Sequence, residues 1–163
     1  MDRGTTGEAR VHVDLAPEAV YDLVADVTRM GEWSPECVGC EWIDGATGPV
    51  VGARFRGRNK HGLARWSTKP RVVAADRGRE FAFVATDPFG RDMTRWTYRF
   101  ETVQAGTDVI ESFEMVNDIP LYIRLYDRFV MGVKDRKADL EANIADTLAS
   151  IKACAENVGS STT

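Results

Sequence analysis

The last third of the chain carries the feature that most limits its fold. Between Asp118 and Val158 the apolar residues Tyr122, Tyr126, Phe129, Val130, Val133, Leu140, Ile144, Leu148 and Ile151 recur at helical spacing. Asp118 is placed to cap such a helix, and Pro120 to pre-set its first turn. A helix of roughly 38 residues would run about 57 Å at 1.5 Å per residue. That is long for a globular protein, so a bend or fade is expected near Gly132 or after Ile151. A helix with one apolar side must lie on something, and the preceding residues have to supply that surface.

They supply strands. Glu8 to Leu15 alternates Val11, Val13 and Leu15 against Arg10, His12 and Asp14, as a half-buried strand does. Ala16-Pro17-Glu18 opens a helix with Val20, Leu23, Val24 and Val27 on its apolar face, and Asp26 is placed to cap a second short helical turn. Glu32-Trp33-Ser34-Pro35 then reads as a loop. Further strands are expected over Cys37–Asp44, Gly52–Asn59, Leu63–Ala75, the stretch of Phe81, Phe83 and Ala85, Asp92–Val103 and Val109–Val116, separated by Gly-, Asp- and Pro-rich turns.

The last hairpin can be read for register. With Ala105-Gly106 as the loop, Phe100 faces Glu111, Tyr98 faces Phe113 and Trp96 faces Met115. One face then carries Trp96, Tyr98, Phe100, Phe113 and Met115 with Glu111 among them, and the other carries Arg95, Thr97, Arg99, Ser112 and Glu114. The fold class is therefore α+β: a curved antiparallel sheet wrapped around a long C-terminal helix, with two short helices after the first strand.

At 163 residues the chain is long enough for one domain with a real core, expected over residues 8–157 between flexible termini, 1–7 and 158–163. The net charge of −4 disfavours nucleic acid as a partner. The opening Met1-Asp-Arg-Gly-Thr-Thr-Gly has no apolar core of a signal peptide, and no run approaches the ~18 apolar residues of a membrane span. A cytoplasmic protein without stable membrane insertion is expected, of a stoichiometry the sequence does not give.

Three cysteines argue against a disulfide framework. Cys37-Val-Gly-Cys40 has C-x-x-C spacing, but it enters a strand where a redox pair would open a helix, and a zinc site would need about two more ligands. The favoured reading is two small buried or edge residues, with no metal and no cofactor.

The strings Ala16-Pro17-x-x-Val20-Tyr21-x-Leu23-Val24-x-Asp26, Glu32-Trp33-Ser34-Pro35-Glu36, and Gly106-Thr107 leading to Glu111-Ser112-Phe113-Glu114 resemble the START-like (SRPBCC) superfamily, in particular its polyketide cyclase/dehydrase branch. The resemblance covers roughly residues 8 to 156. It implies the helix-grip (START/Bet v 1-like) fold, with a deep cavity between the sheet and the long helix. Members bind lipids, sterols, polyketides, quinones or plant hormones; some are aromatases or cyclases, and many only carry a ligand. No invariant catalytic motif transfers residue by residue.

Candidate cavity residues follow from the strand faces. Phe55, Trp66, Phe81, Phe83, Trp96, Tyr98 and Phe113 alternate onto the inner face, and Tyr122, Tyr126 and Phe129 come from the helix. Each serves equally as plain core. Trp33 is placed either at the cavity mouth or as a plug between the first helices and the sheet. Glu111 is a carboxylate among aromatics, so it must be paired, protonated or at a wet cavity, and it is the first acid/base candidate, with Tyr98 beside it. Arg54, Arg56, Arg58, Arg65, Arg95 and Arg99 mostly point outward. There is no G-x-S-x-G, phosphate loop or H-E-x-x-H, and neither His12 nor His61 is placed for a triad.

The expected function is binding of a small hydrophobic ligand (lipid, quinone or polyketide-like). An aromatase/cyclase using cavity acid/base residues is the alternative, and a protein-interaction module a further one. Fold alone does not choose among them.

Overall fold

The structure is a computed structural model and describes residues 1–160, with side chains through Asn157. Eight strands form one antiparallel sheet: β1 (Thr6–Val13), β2 (Cys37–Ile43), β3 (Arg54–His61), β4 (Ala64–Thr68), β5 (Arg71–Asp76), β6 (Glu80–Thr86), β7 (Asp92–Val103) and β8 (Gly106–Met115). The spatial order is β1-β8-β7-β6-β5-β3-β2, with β4 hairpinned onto β3. Register shifts at Cys37/Gly39, Val72/Ala74 and Ala85/Thr86 are the bulges that help a sheet bend. Between β1 and β2 lie α1 (Pro17–Ala25) and a 3₁₀ helix, Val27–Glu32. Pro17 stands in the first turn of α1, and the Asp26 carboxylate accepts the Thr28 N–H at 3.1 Å to start the second helix.

The C-terminal helix is two helices, α2 (Leu121–Phe129) and α3 (Arg136–Ser160). The break falls at the first of the two places expected, near Gly132. Gly132 has φ 73°, a left-handed conformation that other residues adopt at a cost. Asp135 then restarts the helix, its carboxylate accepting from the N–H groups of Lys137 and Ala138 at 3.1 and 3.2 Å. Asp118 does not cap α2; Pro120 holds that position, and Asp118 instead accepts the Arg3 N–H at 2.7 Å.

Leu140, Ile144, Leu148, Ile151 and Ala155 form the buried face of α3, at intervals of one helical turn. They join Val13, Phe100, Val109 and Phe113 of the sheet and Val20, Val24 and Val27 of the first helices in one core. Tyr21 presents its ring edge-on to Phe81 and Phe100, with centroids 6.3 and 5.6 Å apart. The β7–β8 hairpin abuts the end of β1 so closely that a Cβ on Gly106 would stand 2.3 Å from the Val13 carbonyl.

Three expectations are corrected. The strand expected over 63–75 is β4 and β5, parted at Lys69-Pro70, because Pro70 has no N–H to give a ladder. The β7–β8 loop is Gln104-Ala105, so Trp96 faces Phe113, Tyr98 faces Glu111 and Phe100 faces Val109. The pairing differs by two residues from the one expected, which changes every partner but leaves each side chain on its predicted face. The first residues are also tied into the fold, where a flexible terminus was expected over 1–7. Thr6 and Gly7 lie in β1, Gly4 N–H donates to Met115 O at 2.8 Å, and Ile119 N–H donates to Met1 O at 3.3 Å. At the other end α3 continues to Ser160, past the expected boundary at 158; residues 161–163 lie outside the described ones. Among the described residues no helix is long and apolar enough to cross a membrane.

Candidate functional site

Between the concave face of the sheet and the two C-terminal helices lies a cavity of about 600 Å³. The sheet contributes Phe55 from β3, Trp66 from β4, Phe83 from β6, Trp96 and Tyr98 from β7, and Glu111 from β8. Tyr122 and Tyr126 of α2 roof it, and Leu140 and Ile144 at the start of α3 close its inner end. Phe55 meets Phe83 edge-on at 5.2 Å, fixing both rings in the wall.

Four of the aromatics expected there do not line the cavity. Phe81 and Phe113 are buried beside it, Phe81 against Tyr21 and Phe83, and Phe113 against Trp96 at 5.8 Å. Alternation gave their face correctly, but along a curved sheet part of that face is covered by α1 and α3. Trp33 is the plug rather than the mouth: it is 3 % exposed, packed in the core, with the Arg29 guanidinium 6.0 Å from its ring. Phe129 is 75 % exposed, because α2 buries none of its residues fully and ends before turning Phe129 inward. The strand arginines Arg54, Arg56, Arg95 and Arg99 pair with Asp44, Glu41, Glu80 and Glu8, whereas Arg65 reaches the cavity rim.

Glu111 is 3 % exposed and opposes Tyr98 across the β7–β8 ladder. The Tyr98 hydroxyl donates to Glu111 Oε1 at 2.8 Å. Oε2 has no hydrogen-bond partner among the described residues. Burial pushes the Glu111 carboxyl up to about 8, against the opposing pull of the Tyr98 hydrogen bond. The same burial, with Glu111 beside it, raises Tyr98 well above an ordinary phenol. At neutral pH the pair is therefore chiefly a neutral carboxylic acid next to a neutral phenol, with the carboxyl Oε2 unpaired among the described residues at the cavity wall.

The roof is held at both ends. The Tyr122 hydroxyl donates to Asp87 Oδ2 at 3.0 Å, and Phe89 lies edge-on to the Tyr122 ring at 5.8 Å. Burial opposes the Asp87 charge, but the Arg91 N–H, the Tyr122 hydroxyl and the Phe89 N–H outweigh it and hold Asp87 below the ordinary range. At the α2–α3 break, Arg136 donates both Nη1 and Nη2 to Glu36, at 2.8 and 3.1 Å, and pairs with Asp139 on its own helix. Burial raises Asp127 above the ordinary range, with the Arg136 charge opposing. Glu36, His61 and Asp139 offer oxygen and nitrogen atoms within 4.8 Å of one another, but both carboxylates already bind Arg136.

Cys37 and Cys40 both line the cavity, which the sequence gave no reason to expect. Residues three apart on a regular strand face opposite ways; the bulge between Cys37 and Gly39 turns both to the same side. Met93, Ile119 and Ile123 were missed for a different reason: isolated apolar residues near strand and helix ends carry no periodic signal, whereas Met115, already placed on the inner face by alternation, also lines the cavity.

Comparison with known proteins places the chain. The family model described as "Polyketide cyclase / dehydrase and lipid transport" matches residues 5–156. The chain belongs to that family. Among solved structures it is similar to the polyketide cyclase-like protein Cgl2372 from Corynebacterium glutamicum, with 34 % identity over 96 % of this chain and 94 % of that one and a TM-score of 0.62. It is also similar to the di-domain ARO/CYC StfQ from the steffimycin biosynthetic pathway, at 14 % identity and a TM-score of 0.73, covering 95 % of this chain and 51 % of that one. Protein CV1439 from Chromobacterium violaceum, 15 % identical, aligns over 93 % of this chain and 97 % of its own with a TM-score of 0.68. At such identities the last two show the helix-grip fold alone. No curated protein matches the chain.

Proposed function

We propose that this family member binds a small hydrophobic molecule, of lipid, quinone or polyketide-like character, in the cavity between the sheet and the C-terminal helices. A volume of about 600 Å³ lies within the range of small-molecule sites, roughly 300–1,000 Å³. The observation that carries the reading is the unpartnered Oε2 of Glu111 beside the aromatic residues of the cavity wall. A buried carboxyl oxygen without a partner costs on the order of 1–3 kcal/mol, which a ligand carbonyl or hydroxyl would recover. Protonated at neutral pH, that oxygen donates to a carbonyl; Tyr98 fixes the other oxygen and so the direction of the O–H. The cavity residues in this role are Phe55, Trp66, Phe83, Trp96, Tyr98, Glu111, Tyr122 and Tyr126.

One observation favours a second reading. A carboxyl held at about 8 exchanges its proton near neutral pH, as an acid/base catalyst must. In an aromatase/cyclase, Glu111 would protonate a ketone oxygen of a bound poly-β-ketone, or take the proton from the carbon between two carbonyls, with Tyr98 stabilising the oxygen.

Native mass spectrometry of protein purified from its own source tests the first reading. The expected result is a retained small molecule released on denaturation. An apo mass, together with no saturable binding of an apolar fluorescent dye, fatty acids or quinones, overturns it. For the second, Glu111→Gln abolishes turnover of a cyclisable poly-β-ketone while leaving the fold intact; unchanged turnover removes Glu111 from that role.

A further inference from the structure

Cys37 and Cys40 stand with their sulfurs 3.2 Å apart, both as free thiols and both at the cavity wall. Their closeness is built by several features at once. The bulge at Cys37/Gly39 brings them to one face. The Ser34 hydroxyl accepts the Cys37 N–H at 3.0 Å and fixes the strand's entry. Opposite Cys40 stands Gly57; a Cβ there would come within 3.6 Å of the Cys40 sulfur. The Arg58 guanidinium lies over Gly39, where a Cβ would meet its Nη2 at 3.0 Å. The thioether of Met30 is 3.9 Å from the Cys40 sulfur and adds a third soft atom.

We propose that Cys37 and Cys40 are a reversible dithiol that closes to an intramolecular disulfide when an organic hydroperoxide enters the cavity. This stands on the geometry of the cavity wall and not on what the cavity otherwise carries. Only a small further approach separates 3.2 Å from the ~2.05 Å of a disulfide bond. The pair is also divided into nucleophile and proton holder. The hydrogen bond from Cys40 favours the Cys37 thiolate against burial, helped by the Gly39 N–H and the Arg58 charge, while the same contact and burial keep the Cys40 proton in place.

The chemistry balances without a cofactor. The Cys37 thiolate attacks a peroxide oxygen; the S–O bond forms as O–O breaks, and the alkoxide takes up the proton that Cys37 had lost, leaving as the alcohol. Cys37 is now a sulfenic acid. The Cys40 sulfur attacks it, S–S forms as S–O breaks, and hydroxide leaves with the Cys40 proton as water. Two thiols and one hydroperoxide give one disulfide, one alcohol and one water. Cys154 lies on α3, near Arg29 and Glu32, outside the cavity lining, and takes no part.

The test uses the full chain, fully reduced, with one equivalent of cumene hydroperoxide. The intact mass is expected to fall by about 2 Da, two of the three thiols to disappear, and peptide mapping to join Cys37 to Cys40; dithiothreitol reverses all of this. Cys154→Ser is expected to leave the closure unchanged. Cys40→Ser stops at the sulfenic acid of Cys37, trapped by dimedone, which shows the order of attack even if Cys37→Ser fails to fold. The folded chain reacts at least ten-fold faster than the chain in urea. Three retained thiols, oxidation of Cys154 in preference, a disulfide between molecules, or equal rates folded and unfolded overturns the proposal.

Discussion

Tyr98 and Glu111, thirteen residues apart in the chain, are direct cross-strand partners whose side chains meet at 2.8 Å inside the protein. The phenol donates, the carboxyl accepts, and no other protein group reaches the remaining carboxyl oxygen among the described residues. This contact fixes where the Glu111 proton is held among the aromatic residues of the cavity wall.

Glu111 makes stability depend on pH. Its carboxyl is raised from 4.5 to about 8 on folding. Between those values the folded protein keeps a proton that the unfolded chain has lost, so stability falls as pH rises through this window and levels off above it. The total loss is about 5 kcal/mol at most. Glu111→Gln cannot ionise, so denaturant unfolding between pH 5 and 9 is expected to show a flatter profile, with the variant gaining on the parent as pH rises. Parallel profiles would mean that Glu111 is not buried and neutral.

Removing the phenol hydroxyl isolates the carboxyl further. Tyr98→Phe takes away the one hydrogen bond that favours the ionised form, so the Glu111 midpoint is expected to move upward from about 8. The stability cost is about 1–2 kcal/mol at pH 6. NMR titration of the Glu111 side-chain carbonyl carbon checks the direction, and a downward shift would contradict it.

Arg136 holds the junction of α2 and α3. Its guanidinium is bound by Glu36 and Asp139 beside the half-buried Asp127. Arg136→Ala leaves Asp139 without this partner and Glu36 with only the His61 imidazole, and is expected to cost about 1.5–3 kcal/mol in urea unfolding. Arg136→Lys recovers only part of that, because an ammonium cannot give Glu36 two parallel hydrogen bonds. Full recovery with lysine would show that charge alone matters.

The Tyr122–Asp87 bond ties the roof to the β6–β7 loop. Tyr122→Phe costs only about 0.5–1.5 kcal/mol, but it is expected to speed amide exchange over residues 121–130 while leaving 140–155 unchanged. Hydrogen-exchange mass spectrometry separates the two segments. A uniform increase would mean the bond supports the whole fold rather than the roof.

Cavity and core respond differently to size. Ala85 lines the cavity, whereas Leu148 is 2 % exposed in the α3 core. Ala85→Trp is expected to weaken binding of an apolar dye at least ten-fold with little change in melting temperature. Leu148→Ala is expected to cost about 2–5 kcal/mol and leave the dye site in place. Equal destabilisation by both would indicate a filled interior.

Much of the fold was legible because its signals are local. The alternation of β7 and β8 put Trp96, Tyr98 and Glu111 on one face, and the helical stripe named Leu140, Ile144, Leu148 and Ile151 as the face that seats α3. Even the register error was harmless to the faces, since a displacement of two residues preserves the pleat. It mattered only for partners, and Tyr98 received Glu111 in place of Phe113.

The sequence by itself determined which residues turn inward, that the last helix would break near Gly132 or after Ile151, and that a carboxylate would sit among aromatics, because period, glycine chemistry and burial cost act over a few neighbouring residues. Only the tertiary structure decided which inward residues border empty space. Phe81 and Phe113 obey the same alternation as Phe83 and Trp96, yet helices packed from distant parts of the chain cover the first two and stand off the others. It alone also decided that Cys37 and Cys40 meet, because one extra residue between them in β2 turns both sulfurs to the same side, and that bulge exists only in the pairing of β2 with β3.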